Sequence, residues 1–463
     1  MRVAALAVVL LAAPVAAQPA AADRVPAAEA AFQNGLASYR SGAFAEAERL
    51  FARAATEYGY NERTTAAVLM AAKAAYAEAD FDRAIELATR LTDEYPRSRY
   101  AEEAARVRQL ARQGGPGGRG RPFDLGVILP IDGPDGYLGQ AVFNGVRIAV
   151  DAHNDAGRGR PVRLVFRDSG GSGPGGADAV QAVVAAGADA IVGPLRSDEA
   201  GQAGAVAEAA GVVLLAPLAT DQSVSQGRDY VFQGNPTFPA RGRAMARYAV
   251  GRLGLTRLGV ASEGGTLSAD MAGAFATEAR RLGARVVFEE TLQSAGQWED
   301  LDRAVGAEAL ASVQAVYLPV TGREAPQYAA DALRALAALD RAPRPLGNTE
   351  WEGLPSSSRA RASRLGAVFT QDFFVAPGAA DAFGQRYREL SGLGPDRLAL
   401  IGYDLTGFLL SRLDAAEDGS LADALRTGRR FDGLAHRFAF EDGQVNESLF
   451  ILGYRGQESV LLE

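Results

Sequence analysis

The sequence predicts an α/β fold of two similar lobes, preceded by a small all-α helical domain, and three observations carry that prediction. Between Phe123 and Thr220, apolar runs reach small-residue turns and then amphipathic helices: DLGVILPIDGPDGYLGQAVFNGVRIAVDAHN (124–154), AIVGPLRSDEAGQAGAVAEAAG (190–211) and VVLLAPLATDQSV (212–224). Runs without polar alternation suit strands buried on both faces, and helical crossovers make such a sheet parallel. The same rhythm restarts after residue 256, and residues 25–112 are instead Ala-rich, Gly-poor and periodic at helical spacing.

Composition sets the outer bounds. A chain of 463 residues holds two or three domains. Its apolar content of 48% and charged content of 22% suit a globular protein. A net charge of −8 lacks the basic field a nucleic-acid partner requires. No apolar run after the N-terminus approaches the roughly 20 residues of a membrane helix.

Residues 1–17, MRVAALAVVLLAAPVAA, read as a secretory signal peptide, with Arg2 as the positive region, Val3–Ala13 as the apolar stretch and Val15-Ala16-Ala17 as the cleavage site. The mature chain is expected to start at Gln18 and to be periplasmic. With no cysteine in the chain, acylation of the lipoprotein kind has no acceptor, so a lipoprotein is not expected.

Within residues 25–112, Tyr39, Phe44, Ala47, Leu50, Glu57 and Tyr58 recur 37 residues later as Tyr76, Phe81, Ala84, Leu87, Glu94 and Tyr95. Each unit reads as helix, break, helix, with a small alanine where the helices meet, and Pro96 ends the second. This resembles tetratricopeptide repeats, which are about 34 residues long. Residues 113–122, QGGPGGRGRP, read as a Gly/Pro linker.

Beyond the linker, strands are expected at 230–236, 257–262, 285–292, 314–320, 344–351 and 366–373. Helices are expected at Leu267–Leu282, Gln327–Leu339, Ala379–Leu390 and Leu398–Leu413, and the tail FAFEDGQVNESLFILGY as a hairpin turning at Asp442-Gly443. In such sheets ligands bind in the crevice at the carboxyl ends of the strands. The turns there carry Tyr137, Arg196, Ser197 and Thr220, hydroxyls and a guanidinium without a nucleophile–base pair.

These pieces together resemble the type I periplasmic binding proteins of the leucine/isoleucine/valine-binding group. The motifs are GVILPIDGPDGYLGQAVFNGVRIAVDAHN with VRLVFRDSGG, then AIVGPLRSDEA, GVVLLAPLATD and the late LIGYDLTGFLL, spread over residues 123–463. The resemblance implies a hinged, non-enzymatic protein closing two lobes on an amino acid, a short peptide or a similar small-molecule ligand delivered to an ABC permease. One lobe is expected to hold about 123–237 and 374–435, the other about 238–373 and 436–463. The order of repeats and binding fold is also similar to that of penicillin-binding protein activators, which implies the alternative of an envelope scaffold whose protein partner is a peptidoglycan synthase.

The resemblance further implies site residues. Carboxylate donors fall at Arg196-Ser197 and at Leu218 and Thr220. Ser197, followed by Asp198 and Glu199, suits a helix N-cap equally well, and Thr220 suits a turn residue. An ammonium needs a carboxylate. The acid expected at the lobe crossing is missing from NPTFPARG (235–242), where Phe238 stands nearest, so Glu350 is the acid left to serve. Trp351 suits a pocket wall or an ordinary core aromatic. The facing loops add Tyr137, Leu138 and Thr321. No cofactor or metal is expected: the only histidines are His153 and His436, the first expected at the surface. Gly133, Gly136 and Gly139 lack dinucleotide-loop spacing.

Overall fold

The computed structural model describes residues 24–114, 122–157, 159–413, 420–441 and 443–463. The signal-peptide reading, most of the Gly/Pro linker and Asp442 lie outside the described residues. The chain divides into two compact units, Met1–Pro122 and Phe123–Glu463.

The first unit is five helices: α1 (Pro26–Arg40), α2 (Phe44–Thr56), α3 (Thr64–Ala77), α4 (Phe81–Glu94) and α5 (Ala101–Gly114). The repeat is physical as well as textual. Tyr39 meets Phe44 edge-on at 5.2 Å, and 37 residues later Tyr76 meets Phe81 edge-on at 5.6 Å. Ala47 and Ala84 are fully buried, as small residues at a close helix approach should be. Gly35 serves the same end, since a Cβ there would lie 2.7 Å from the Phe51 ring.

The second unit opens with β1 (Phe123–Leu129), α6 (Gly136–Asp155), β2 (Val162–Asp168), α7 (Gly173–Ala185), β3 (Ala190–Val192), α8 (Ser197–Ala210), β4 (Val213–Ala216) and β5 (Val231–Gln233). These strands form a five-stranded, all-parallel sheet in the order β2-β1-β3-β4-β5. Alternate residues of β1 supply the two faces: Leu125, Val127 and Leu129 pack with α6, Ile128 with α7 and α8.

The chain then crosses into α9 (Phe238–Arg247), β6 (Arg257–Glu263), α10 (Thr266–Arg281), β7 (Arg285–Leu292), α11 (Ala295–Glu299), α12 (Ala307–Ser312), β8 (Ala315–Tyr317), α13 (Ala325–Ala337), β9 (Arg344–Gly347), α14 (Ser356–Arg364) and β10 (Val368–Gln371). It returns through α15 (Asp381–Ser391), α16 (Arg397–Leu410), α17 (Leu421–Thr427), β11 (Phe431–Asp432) and β12 (Arg437–Phe438), and ends in β13 (Phe450–Arg455) and β14 (Glu458–Leu461). The second sheet has seven strands, β14-β13-β10-β9-β8-β6-β7, antiparallel only where β10, β13 and β14 pair. Ile401, Leu405 and Phe408 of α16 belong to the first lobe's core, Met245 and Ala246 of α9 to the second's.

Two expectations about the tail need correction. The strands of the C-terminal hairpin are β13 and β14, turning at Gly456 in a left-handed conformation (φ 65°), while the expected turn joins no strand pair among the described residues: the Gly443 N–H donates to the Phe440 carbonyl (2.7 Å) and the Glu447 N–H to the Ala439 carbonyl (2.9 Å). Phe438 and Phe440 are buried in the first lobe's core, so the third crossing falls after them rather than at His436.

Close packing sets which glycines matter. A Cβ on Gly145 of α6 would lie 2.0 Å from the Ala399 carbonyl oxygen of α16. Gly273 of α10 is a helix-interior glycine with nothing within 4 Å of its Cβ position. Gly145→Ala is therefore expected to cost about 1–3 kcal/mol by overpacking, and Gly273→Ala to stabilise by roughly 0.5–1 kcal/mol; denaturant titration reads both signs.

Glu199 in the first turn of α8 is fully buried, with one oxygen 3.4 Å from the Ser169 hydroxyl and the other without a partner. Burial, reinforced by neighbouring Asp198, pushes its carboxyl up to about 6. A raised folded-state value favours the protonated form, so this group's stabilisation is present in acid and lost as pH rises through about 6. Glu199→Gln should raise the melting temperature at pH above 7 and flatten its change between about pH 5 and 7.

Candidate functional site

The carboxyl ends of both sheets face one cleft, and the chain crosses beside it three times, at Gly234–Thr237, at Asp372–Ala380 and at 441–449. The first lobe contributes the loops after β1, β3, β4 and β5, the second the loops after β6, β8, β9 and β10.

On the first lobe, Tyr137 stands 70% exposed at the start of α6, and Leu138 is half-buried against the core. Gly136 and Gly139 let the helix pack on the backbone of Ile131 and Pro130, where a Cβ would lie 2.2 and 1.7 Å from the carbonyl oxygens. They serve packing. Arg196 is the residue capping α8, and its guanidinium is divided between Asp135 (3.1 Å) and Asp198 (3.4 Å).

Ser197 is the first helical residue, so the N-cap reading of it is corrected. Its hydroxyl oxygen instead accepts the backbone N–H groups of Thr220 (3.1 Å) and Asp221 (3.2 Å), binding the loop after β3 to the loop after β4. A hydroxyl has two lone pairs and one proton. With both lone pairs engaged, what Ser197 has left to offer is its O–H. Leu218, in the same loop, has its carbonyl engaged by the Asn235 side-chain amide at 3.3 Å.

On the second lobe, the Thr321 hydroxyl donates to the Glu263 carboxylate. Glu350, in the short helical turn Thr349–Gly353, is half-buried, and its carboxylate accepts a hydrogen bond from none of the described residues. Burial pushes its carboxyl above the ordinary value, with Arg241 and Arg397 pulling it down and Asp372 and Glu263 pushing it up. Trp351 is corrected from pocket wall to core: it is fully buried, its indole N–H donates to the Leu318 carbonyl at 3.3 Å, and its ring lies against Gly347. One residue apart on a tight turn, Glu350 and Trp351 differ in burial, the first half-buried and the second fully buried.

The structure adds a group that the motif reading passed over. Arg241, 6% exposed, donates to the Pro236 carbonyl (3.3 Å), Asn235 Oδ1 (3.1 Å), Thr349 Oγ1 (2.7 Å) and Asp372 Oδ2 (2.9 Å). Arg397, at the start of α16, reaches the same Asp372 oxygen at 2.7 Å. Burial alone would raise the Asp372 carboxyl, but the two guanidiniums hold it down to about 2. The sequence signal was available: Arg241 lies in NPTFPARG and Asp372 in GAVFTQDF, charged residues beside runs otherwise destined for burial.

The histidines do other work. His153 is partly buried, contrary to the surface position expected for it, with its Nε2 2.9 Å from the Arg160 carbonyl oxygen. His436 is buried, its Nδ1 3.0 Å from Asp404, whose carboxylate also accepts the N–H groups of Leu434, Ala435 and His436. Among the described residues no group of three or more His, Cys, Asp or Glu side chains is arranged to hold a metal. No helix among them is long and apolar enough to cross a membrane.

Comparison with known proteins agrees with this layout. Residues 25–113 match a family described as outer membrane lipoprotein. The chain is 29% identical over 154 residues to a Leu/Ile/Val-binding protein homolog of Brucella melitensis and, to the same extent, to Leu/Ile/Val-binding protein BraC3 of Rhizobium johnstonii. Those alignments cover 33% of this chain and 42% of each relative. In fold it is similar to a putative branched-chain amino acid ABC transporter protein from Rhodospirillum rubrum (TM-score 0.61, 24% identity, 74% of this chain and all of that one). It is similar also to a substrate-binding protein from Desulfitobacterium hafniense solved with Leu (TM-score 0.52, 20% identity, the same coverage). With a periplasmic binding protein family model matching residues 122–458, the chain belongs to the type I periplasmic binding proteins of the Leu/Ile/Val-binding family.

Proposed function

We propose that the cleft captures a small zwitterion, an amino acid or a short peptide, and that the protein acts as a non-enzymatic solute receptor for an ABC permease in the periplasm. The observation that carries this reading is the polarity of the two walls. Ser197 has only a proton left to give, which suits a carboxylate, and the first N–H groups of α8 lie beside it. Glu350 has only lone pairs to give and accepts a hydrogen bond from none of the described residues, which suits an ammonium. The charged groups that act on Glu350 are Glu263 and Arg241 of the second lobe, Asp372 of the second crossing and Arg397 of the first lobe, and both arginines are already held by Asp372, which leaves the Glu350 carboxylate available to an ammonium.

Under this reading Thr220 and Leu218 frame the carboxylate end, Tyr137 and Leu138 flank the mouth, and Arg196 and Thr321 brace the loops through Asp135 and Glu263. The family relation and the printed names of the relatives support the receptor class; the choice of solute rests on the wall chemistry.

A second reading has an observation of its own. The match of residues 25–113 to an outer membrane lipoprotein family favours an envelope scaffold, in which the helical repeats hold a protein partner such as a peptidoglycan synthase and the cleft is kept for its packing.

A thermal-shift series with amino acids and dipeptides separates the two. A solute at 100 times its Kd adds about 2.7 kcal/mol of stability, so a receptor gives a clear upward shift with at least one of them. No shift with any solute, together with recovery of a peptidoglycan synthase by the isolated first unit, is the outcome of the scaffold reading. For the responding solute, Glu350→Gln should weaken binding by roughly tenfold to a hundredfold, the worth of one charge-assisted hydrogen bond, and Ser197→Ala should also weaken it.

The pH dependence has a definite sign. Glu350 must be ionised to hold an ammonium, and burial raises its carboxyl. Affinity therefore falls on acidification, beginning above the pH at which an ordinary glutamate titrates. Calorimetric titration across that range should show the loss in the wild type, and a flat profile in Glu350→Gln.

A further inference from the structure

Asp372 carries both arginines on one oxygen. Arg241 belongs to α9 of the second lobe and Arg397 to α16 of the first, and both donate to Oδ2, at 2.9 and 2.7 Å. Asp372 itself sits in the second crossing and is 6% exposed. Its other oxygen, Oδ1, is buried without a partner. A carboxylate that holds two guanidiniums ordinarily spreads them over both oxygens, since each has lone pairs to fill and a bare buried oxygen is costly. Asp372 and Arg397 border a narrow gap of about 10 Å³ with Asn235, His436, Asn446 and Leu218, at the meeting point of all three crossings, so a guanidinium reaches Oδ1 only as the lobes move.

The two arginines differ in freedom. Arg241 is locked by four acceptors on three segments. The Arg397 side chain is about half exposed (46%) and is held by Asp372, with its guanidinium 5.5 Å over the Phe373 ring. Rotation of the first lobe would carry Arg397 relative to Asp372 while Arg241 stayed with the second lobe.

We propose that Asp372 is a positioning residue that sets the angle between the lobes, with Arg241 as the fixed arm and Arg397 as the moving one. The bare Oδ1 is the seat to which Arg397 passes when the lobes rotate. The arrangement is a two-position latch, because either oxygen satisfies the guanidinium, while an angle that draws Arg397 away leaves the buried Asp372 carboxylate short of one of its two charge partners. The latch also reaches the cleft loops, through Arg241 to Thr349 beside Glu350 and through Asn235 to the Leu218 carbonyl. It operates with or without a solute, so it stands apart from the receptor reading.

The chain has no cysteine, so Gln181→Cys on α7 and Thr277→Cys on α10, both exposed, give one spin label per lobe in the full-length protein. Double electron–electron resonance then reads the distance between lobes without added solute. Arg397→Gln should replace the wild-type distance distribution by a broader one or by a displaced population, and Arg397→Lys, which keeps the charge, should restore much of it. Asp372→Asn should act in the same direction, and Arg397→Gln carries the test if burial of Arg241 without its partner prevents folding. An unchanged distribution in folded Arg397→Gln, whatever its melting temperature, overturns the proposal, because it would mean that the pair stabilises the hinge without setting its angle.

Discussion

A guanidinium cannot be buried alone, and much of the cleft is organised around satisfying Arg241. Taking that charge out of water is tolerable only where acceptors surround it and a carboxylate balances it. The acceptors come from the first crossing (Asn235 and Pro236), the second crossing (Asp372) and the second lobe (Thr349). Segments distant in sequence are thereby held at one point, and the cleft loops hang from it. The remaining crossing is tied to the first by the Asn446 side-chain amide, which donates to the Gly234 carbonyl, and by backbone, where the Gln233 N–H donates to the Gln444 carbonyl and the Asn446 N–H to the Gln233 carbonyl. Arg243 and Arg247 of α9 add pairs to Glu447 on the same strap. The three crossings therefore behave as a bundle, which favours rotation about a common axis over independent sliding.

The fold was legible where burial is periodic. The inner strands coincide with apolar runs, because a parallel sheet covered on both faces needs apolar side chains on both, whereas the edge strands β2 and β7 carry charged residues such as Arg163 and Glu289. The 37-residue register found its counterpart in paired aromatic contacts, since a repeated helix hairpin must repeat its packing. The tail was less legible. Its turn dipeptide pointed to one hairpin, but Phe438 and Phe440 needed a core, and the nearest one belongs to the first lobe.

The site was legible by position and less so by role. Ser197 and Thr220 were singled out separately, and the structure brings them into contact, with the serine hydroxyl receiving the threonine N–H. The pairing was invisible because it joins side chain to backbone across 23 residues, and no residue type betrays a backbone donor. Glu350 and Trp351, adjacent in sequence, part company at a tight turn. Arg241 went unnoticed because attention rested on a missing acid: the stretch held the opposite charge, and its counter-ion Asp372 lies 131 residues away.

Bracing also bears on what the cleft accepts. Arg196 is spent on Asp135 and Asp198, Thr321 on Glu263, and Arg241 on its ring of acceptors. A ligand that needed those groups would have to break an internal pair first, and the cost of leaving a half-buried charge without its partner would be set against its binding. A ligand that needs only a proton from Ser197 and lone pairs from Glu350 breaks nothing. The walls thus discriminate by what is already occupied. A dianion brings a second negative charge toward Glu350, and neutral apolar solutes leave Glu350 desolvated and unpaired. A dipolar solute, with its negative end toward α8 and its positive end toward Glu350, avoids both penalties.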